Sequence, residues 1–313
     1  MTTSQLPDSP QNSGLWQPNR QLSKSMELLA KIVFGAFGLV SIATTIGIVL
    51  TLIFETFLFF QEVPIWNFLT DTQWTPLFTN SQYGIIVLIS ATFLTSFIAL
   101  IVAMPMGILA AVCLSEYAPS GLRKWLKPAL EILAGVPTVV FGYFALFFVS
   151  PILETFVPGL RPFNGLSAGI VLGIAILPTI ASLSEDAIYA VPQSLRQGSY
   201  ALGATKRETV TNVVLPAALS GIVASFILGI ARAVGETMIV TIAAGQNPRL
   251  TLDPRVPIQT MTSFIVQVAK GDAPTGSIEF ITIFAVGMTL FLITLVLNAF
   301  SFWFVGRFRE KYE

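Results

Sequence analysis

The sequence places an arginine and a glutamate, Arg232 and Glu236, in the stretch GIARAVGETMIV (residues 229–240), which is otherwise apolar. Ionisable side chains in a membrane-spanning segment are costly, so they pair, face protein or line a route for ions. A guanidinium stays charged at any cellular pH, and its planar fork matches the oxygen atoms of an oxyanion. The two residue types therefore predict an anion contact inside a membrane.

The four-residue spacing of Arg232 and Glu236 allows the two side chains to pair on adjacent turns of a helix. Small residues at four-residue intervals share this helix face and let another helix approach closely. They are Ala217, Gly221, Ser225 and Gly229. We expect both charges to face protein or a water-filled path rather than lipid. One interpretation is a self-neutralising pair that fixes helix packing. The other makes Arg232 a transient anion contact that Glu236 holds when no anion is present.

The composition points to a membrane protein. Of 313 residues, 54% are hydrophobic and only 11% are charged, whereas soluble domains have about 25% charged residues. The net charge is zero, so nothing in the composition favours a nucleic-acid partner. Histidine is absent and Cys113 is the single cysteine, which excludes an intrachain disulfide and histidine chemistry and makes zinc unexpected.

The sequence lacks the motifs of an enzyme. No G-x-x-x-x-G-K-[ST] loop is present, so ATP hydrolysis would need a separate subunit. No nucleophile stands with a base in a recognisable pattern. We therefore expect a non-enzymatic chain without a cofactor or metal of its own.

Continuous apolar runs of about 20 residues predict membrane-spanning helices and not the alternating pattern of a β-barrel. The predicted fold is all-α with six spans. These are Lys31–Phe60, Ile85–Leu114, Ala129–Val149, Leu166–Leu183, Ala217–Ala244 and Phe280–Val305.

The flanks of the spans predict the topology. A polar N-terminal segment, residues 1–25, precedes a transmembrane domain, residues 26–313. Most lysines and arginines lie before span one, between spans two and three, between spans four and five, and after span six. By the positive-inside rule, both termini face the cytoplasm.

The segment Ser184–Pro216 between spans four and five is too long and too periodic for a passive connector. Thr205 and Glu208 have the spacing of a capping box, directly after Gly203. The pattern predicts two short amphipathic helices that meet at Gly203. They would either present a rigid knob to a soluble partner or rest on lipid headgroups.

The spacing of Gly203, Val213, Leu215 and Pro216 resembles the permease signature of ATP-binding-cassette (ABC) importers. Gln197, Gly198 and Ser199 stand where that signature usually has Glu, Ala and Ala. The resemblance implies that this segment docks into a groove of a cytoplasmic ATPase. The implied coupling residues are Leu195, Gln197, Gly198, Ser199, Leu202, Gly203, Ala204 and Lys206.

Three longer stretches resemble the membrane subunits of phosphate-specific transport systems: Leu114–Leu146, Arg232–Gly245 and Gly271–Asn298. The stretches FLTDTQWTP (Phe68–Pro76) and GDAPTGS are similar to the C-type permease of these systems. This resemblance implies a type I ABC importer permease that carries inorganic phosphate across a bacterial inner membrane, with Arg232 and Glu236 on the pathway.

The resemblance also implies the partners: an A-type permease subunit, an ATPase dimer that binds ATP and Mg²⁺, and an external phosphate-binding protein. The candidate contact loops for the binding protein are Gln61–Gly84 and Gln246–Glu279. Two other functions remain open from the sequence. One is a secondary anion carrier or channel, which would need no ATPase. The other is an ABC permease for a different oxyanion, such as sulfate or molybdate.

Overall fold

The computed structural model describes residues 20–274 and 276–308. These residues form α-helices and loops, and the part of the chain described contains only an isolated antiparallel bridge between Trp74 and Tyr83 and no longer strand. The predicted all-α fold is confirmed. The chain divides into two compact units, residues 1–51 and 52–313.

The described part of the first unit, residues 20–51, is the beginning of one helix, α1 (Arg20–Glu62). Residues 1–19 of the predicted polar segment lie outside the described residues, whereas residues 20–25 already belong to α1. Phe34, Leu39 and Ile48 are among the many exposed apolar side chains of this unit. Such a surface suits lipid, the solvent that the composition predicts.

The second unit contains the end of α1 and the remaining helices. In chain order they are α2 (Ile65–Thr70), α3 (Ile86–Val112), α4 (Ser120–Gly135), α5 (Thr138–Phe144), α6 (Ser150–Phe156), α7 (Gly165–Tyr189), α8 (Gln193–Ala201), α9 (Lys206–Thr209), α10 (Leu215–Val234), α11 (Met238–Ala243), α12 (Met261–Gln267) and α13 (Ile278–Phe308). Single π-helical turns extend α3 and α12 and join α5 to α6 and α9 to α10. They are Cys113–Tyr117, Val268–Asp272, Ala145–Val149 and Val210–Val214.

Six helical segments of the described chain are long and apolar enough to cross a membrane, which confirms the predicted number of spans. They are Met26–Glu62, Ile86–Tyr117, Thr138–Phe156, Gly165–Tyr189, Lys206–Val234 and Ile278–Arg307.

The predicted start of the third span, at Ala129, is wrong. That residue lies in α4, a separate helix with no buried side chain. The chain leaves the helix at Val136, whose ψ of 128° is extended, and α5 starts directly after Pro137. The proline ring disfavours the helical conformation for the residue before it, which explains the break at Val136. A search for apolar runs does not detect such a break, because most residues on both sides are apolar.

The predicted end of the fourth span is also too early. α7 continues to Tyr189, so Ser184–Tyr189 belongs to this span and not to the segment that follows it. α7 is the central helix of the second unit, and most of its residues are buried. Asn164 caps its first turn by accepting a hydrogen bond of 2.7 Å from the Ser167 backbone.

Close packing against α7 holds α3 and α10 in place. A Cβ atom at Gly173 would lie only 2.7 Å from the backbone oxygen of Ala99 in α3, and one at Gly229 of α10 would lie 2.8 Å from Ile180. A side chain at either position would collide with the neighbouring helix, so glycine allows the helices to pack this closely. The three helices therefore form a closely packed frame for the polar residues described next.

Candidate functional site

The fifth span is interrupted between Val234 and Met238. α10 ends at Val234, Gly235 caps it, and α11 begins three residues later. The prediction of one continuous helix from Ala217 to Ala244 is therefore wrong. Glycine is about 1 kcal/mol less favourable than alanine inside a helix. The Glu236 carboxylate also accepts a hydrogen bond from the Met238 amide, the first of the next helix.

Arg232 lies in the last turn of α10, and its side chain is exposed in this chain. Its Nη1 donates a hydrogen bond to the Thr179 hydroxyl of α7. The carbonyl groups at a helix C-terminus favour a cation by about 0.3–1 kcal/mol. Thr179 lies roughly 21 Å along α7 from Gly165, at about 1.5 Å per residue, so this contact is at membrane depth.

Glu236 is half-buried and does not pair with Arg232. Its Oε1 accepts a hydrogen bond of 3.1 Å from the Met238 backbone and one of 3.5 Å from that of Ile239. The predicted pairing on adjacent turns is therefore wrong, because the helix ends between the two residues. The carboxylate instead satisfies amides at the start of α11.

The interruption is supported from a distant helix. The Thr262 hydroxyl of α12 donates a 2.7 Å hydrogen bond to the backbone oxygen of Glu236, and Thr262 is buried. The Glu236 carbonyl lies before the first turn of α11, in a partly buried position, so a donor from another helix satisfies it. The break is therefore held by both the local carboxylate and a residue far along the chain.

The small residues of α10 do face another helix, as their spacing predicts. A Cβ atom at Gly221 would lie 2.5 Å from Ala187 of α7. One turn further, the Ser225 hydroxyl lies 2.7 Å from that of Ser184. Arg232 extends this helix contact to Thr179, so the α7–α10 packing sets where the guanidinium lies.

A cavity of about 290 Å³ opens beside Thr179. Ser182, Lys127, Glu131 and Glu185 also line it. Glu185 is buried and accepts from Arg123 at 2.6 Å, and Lys127 Nζ lies 3.4 Å from its other oxygen. The Glu185 carboxylate in this cavity is thus already paired with two cations.

The predicted coupling segment has the expected turn at Gly203, where φ is +83° and favours glycine. The predicted capping box is confirmed: the Glu208 backbone donates to the Thr205 hydroxyl, and the Glu208 carboxylate accepts from the Thr205 backbone at 2.8 Å. The second of the two short helices is not separate, because α9 continues through a π-helical turn into α10.

The coupling residues divide between two faces. Gln197, Gly198, Leu202, Gly203 and Lys206 are exposed, and the Leu202 side chain is 91% exposed. Leu195, Ser199 and Ala204 are half-buried. The Ser199 hydroxyl lies 2.9 Å from that of Thr209, and the Lys206 ammonium lies 5.0 Å from the centre of the Tyr117 ring. The exposed face is the one available to another protein.

Sequence reasoning missed a buried ion pair under this segment. Arg196 Nη2 lies 2.9 Å from Glu116 Oε1, and both side chains are less than a tenth exposed. Glu116 lies 80 positions earlier in the chain. Thr179, Thr262 and Glu185 were missed for the same reason, since their partners are distant in sequence. Arg196 and Glu185 are charged residues in helical segments, which was the one signal that the sequence offered, and the two threonines carried none.

The two loops predicted to contact a binding protein meet at the end of the second unit that lies away from the coupling segment. A cavity of about 650 Å³ lies between them, lined among others by Trp74, Phe78, Gln246 and Gln267. Gln259 also lines it and donates a 2.6 Å hydrogen bond to Gln267. This end of the molecule is rich in uncharged amide and aromatic groups.

One fixed charge pair lies in the second of these loops. The Arg255 guanidinium donates to Asp253 at 2.8 Å, and this hydrogen bonding lowers the pKa of the Asp253 carboxyl to about 2. Arg255 is exposed and Asp253 is only partly covered, so the pair keeps its charges at physiological pH and contributes little to stability.

Comparison with known proteins gives consistent matches. Residues 103–311 match the family described as binding-protein-dependent transport system inner membrane component. The chain is 34% identical over 281 residues to the probable ABC transporter permease protein YqgH of Bacillus subtilis, covering 89% of each chain. It is 34% identical over 257 residues to the phosphate transport system permease protein PstC of Mesorhizobium japonicum, covering 75% of this chain and 76% of that protein.

The fold resembles that of a bacterial ABC transporter involved in the import of the polysaccharide alginate, with a TM-score of 0.62 at 15% identity. The match covers 93% of this chain and all of the solved chain. At this identity the likeness concerns the fold, and it confirms the predicted importer-permease architecture.

The support that Thr262 gives to the interruption is testable. Thr262→Val keeps the shape of the side chain but leaves the Glu236 carbonyl without its donor, at a cost of about 1–3 kcal/mol. We expect a lower thermal unfolding midpoint for the purified protein in detergent. Thr155→Val is the control, because that exposed hydroxyl donates only to the nearby Ile152 carbonyl. Equal midpoints for the two variants would contradict this role.

Proposed function

The chain belongs to the binding-protein-dependent transport system inner membrane component family, and from this premise we propose that it is the membrane-spanning permease subunit of an ATP-driven importer of inorganic phosphate. The named function of the Mesorhizobium japonicum relative supports phosphate as the substrate. The observation that carries the proposal is Arg232, an exposed guanidinium at membrane depth whose partner in this chain is a neutral hydroxyl.

The free energy of placing a charge in lipid supports a pathway role for Arg232. A charge that faces lipid at the bilayer centre costs at least about 2.5–3.5 kcal/mol. The Thr179 hydroxyl does not neutralise the guanidinium, so an exposed Arg232 needs water, a neighbouring subunit or an anion. A route between two permease subunits supplies all three, and phosphate oxygens fit the fork of the guanidinium.

Glu236 remains a pathway residue in this proposal, with a changed task. Because it binds the amides of Met238 and Ile239, it fixes the interruption rather than holding Arg232 directly. Its negative charge also lowers the affinity of nearby groups for an anion, and a transport route requires weak binding for release.

The partners follow from the family and the exposed surfaces. A second, A-type permease would complete the route, and an ATPase dimer with bound ATP and Mg²⁺ would dock on the exposed face of α8 and the Gly203 turn. An external phosphate-binding protein would meet the loops that surround the 650 Å³ cavity. This orientation in the bacterial inner membrane puts both termini in the cytoplasm.

The mechanism we propose is alternating access. Closure of the ATPase dimer on ATP would move α8, the frame of α3, α7 and α10 would follow, and the route would open outward to accept phosphate from the binding protein. No chemical step takes place in this chain. Hydrolysis belongs to the ATPase subunit.

The energy source and the substrate can be tested together in proteoliposomes that contain the complete complex. We expect uptake of labelled phosphate that requires ATP inside, the ATPase subunit and the binding protein, and that excess sulfate does not reduce. Uptake driven by an ion gradient alone would favour a secondary carrier. Competition by sulfate or molybdate would favour a permease for another oxyanion.

The role of Arg232 predicts the effect of a neutral substitution. Arg232→Gln removes charge-assisted hydrogen bonds worth about 1.5–3 kcal/mol, so phosphate uptake should fall by roughly ten- to a hundredfold. The ATPase subunit should still copurify in equal amount. Arg161→Gln, at an exposed arginine outside the predicted contact loops, is the control. Normal uptake by Arg232→Gln would remove the arginine from the route.

The docking role of the Gly203 turn has a matched control. Gly203 and Gly159 have φ angles of +83° and +78°, and a Cβ atom meets no neighbour at either position. Valine at each position should therefore strain the backbone by a similar amount, about 1–3 kcal/mol. We expect Gly203→Val to reduce copurification of the ATPase and Gly159→Val to leave it unchanged. Equal losses would show that the turn has no special role.

A further inference from the structure

One buried guanidinium joins three elements at the coupling end of the second unit. Arg196 of α8 donates to Glu116 Oε1 through Nε at 3.1 Å and Nη2 at 2.9 Å. Nη2 also donates at 2.9 Å to the backbone oxygen of Ile188 in α7, and Nη1 donates to that of Val191. Glu116 lies in the π-helical turn that extends α3.

The chemistry of these contacts requires arginine. A guanidinium offers donors in several fixed directions in one plane, whereas an ammonium is a compact point charge. The acceptors belong to the ends of α3 and α7 and to the loop that leads into α8. A lysine at this position could keep the charge but could not satisfy the acceptors together.

The pair is buried, so it is expected to add little to the stability of the fold. The Arg196 and Glu116 side chains are 8% and 9% exposed. Removing charges from water has a cost that their attraction often does not exceed, and apolar replacements are frequently as stable. The pair therefore suggests a role in positioning helices rather than in stability. It lies between α8 and the ends of α3 and α7, so these are the helices that it would position.

Hydrogen bonds connect the helices on the outer side of this pair. Ser199 of α8 contacts Thr209 of α9 through hydroxyls 2.9 Å apart, and the Thr205–Glu208 capping box closes the turn between the two helices. On the inner side, close glycine contacts fix α3 against α7. The chain itself already joins α7 to α8 and α9 to α10, and the Arg196–Glu116 contact adds a direct connection from α8 to the end of α3.

We propose that Arg196 and Glu116 form the mechanical joint that transmits movement of α8 to α3 and α7 during transport. This inference rests on the proposed function, in which the ATPase docks on α8. Without the joint, the ATPase would still bind the exposed residues of α8, and ATP hydrolysis would still occur. The movement of α8 would no longer be passed fully to the helices that line the route.

The test compares the complete complex in proteoliposomes for the wild type, Arg196→Lys, Glu116→Gln and Arg161→Lys. The measurements are the ATPase subunit copurified, the thermal unfolding midpoint, ATP hydrolysis, and phosphate taken up per ATP hydrolysed. Arg196→Lys should retain the ATPase subunit but transport about tenfold less phosphate per ATP, since the fork is lost. Glu116→Gln should lose less, because the amide oxygen still accepts and two carbonyl contacts remain. Arg161→Lys should match the wild type.

The outcomes separate this inference from the proposed function. A wild type that takes up phosphate without ATP contradicts the proposed function itself. With an ATP-dependent wild type, normal uptake per ATP in assembled Arg196→Lys overturns the joint alone. If Arg196→Lys does not assemble, assembled Glu116→Gln with normal uptake per ATP overturns it. Loss of the ATPase subunit from both variants also overturns it, because the pair would then serve assembly.

Discussion

An arginine and a glutamate are tolerated in an apolar span because the helix stops between them. Arg232 lies at the C-terminal end of α10 and Glu236 next to the N-terminal end of α11, so each charge faces the helix dipole that favours it. Thr179 and Thr262 connect the interruption to α7 and α12. The proposed anion contact combines this interruption with the α7–α10 packing that sets where the guanidinium lies.

At the coupling end, too, a polar side chain contacts the closely packed frame of α3, α7 and α10. α7 is the centre of the second unit, and its glycine contacts with α3 and α10 leave little room for independent movement. Arg232 meets α7 at Thr179, and Arg196 meets it at Ile188. The proposed substrate contact and the proposed joint therefore both involve α7. This helix provides a physical link between the ATPase docking surface and the transport route.

The sequence was sufficient for the parts that depend on local patterns and insufficient for those that depend on distant partners. Six apolar runs predict six spans, the small-residue spacing in α10 predicts its helix contact, and Thr205 with Glu208 predicts the capping box. The breaks at Val136 and Gly235 were missed because apolar residues continue past Pro137 and past Glu236, so each break lies inside a longer apolar run. Thr262 lies 26 positions from Glu236, and Glu116 lies 80 positions from Arg196, so no local pattern reveals either contact.

The most direct test of the central claim is a structure of the assembled complex trapped with phosphate during transport. We expect density for a tetrahedral anion at about 3 Å from the Arg232 guanidinium, on a route shared with the second permease subunit. A guanidinium that faces acyl chains, or one sealed in a dry contact while the anion passes elsewhere, would contradict it.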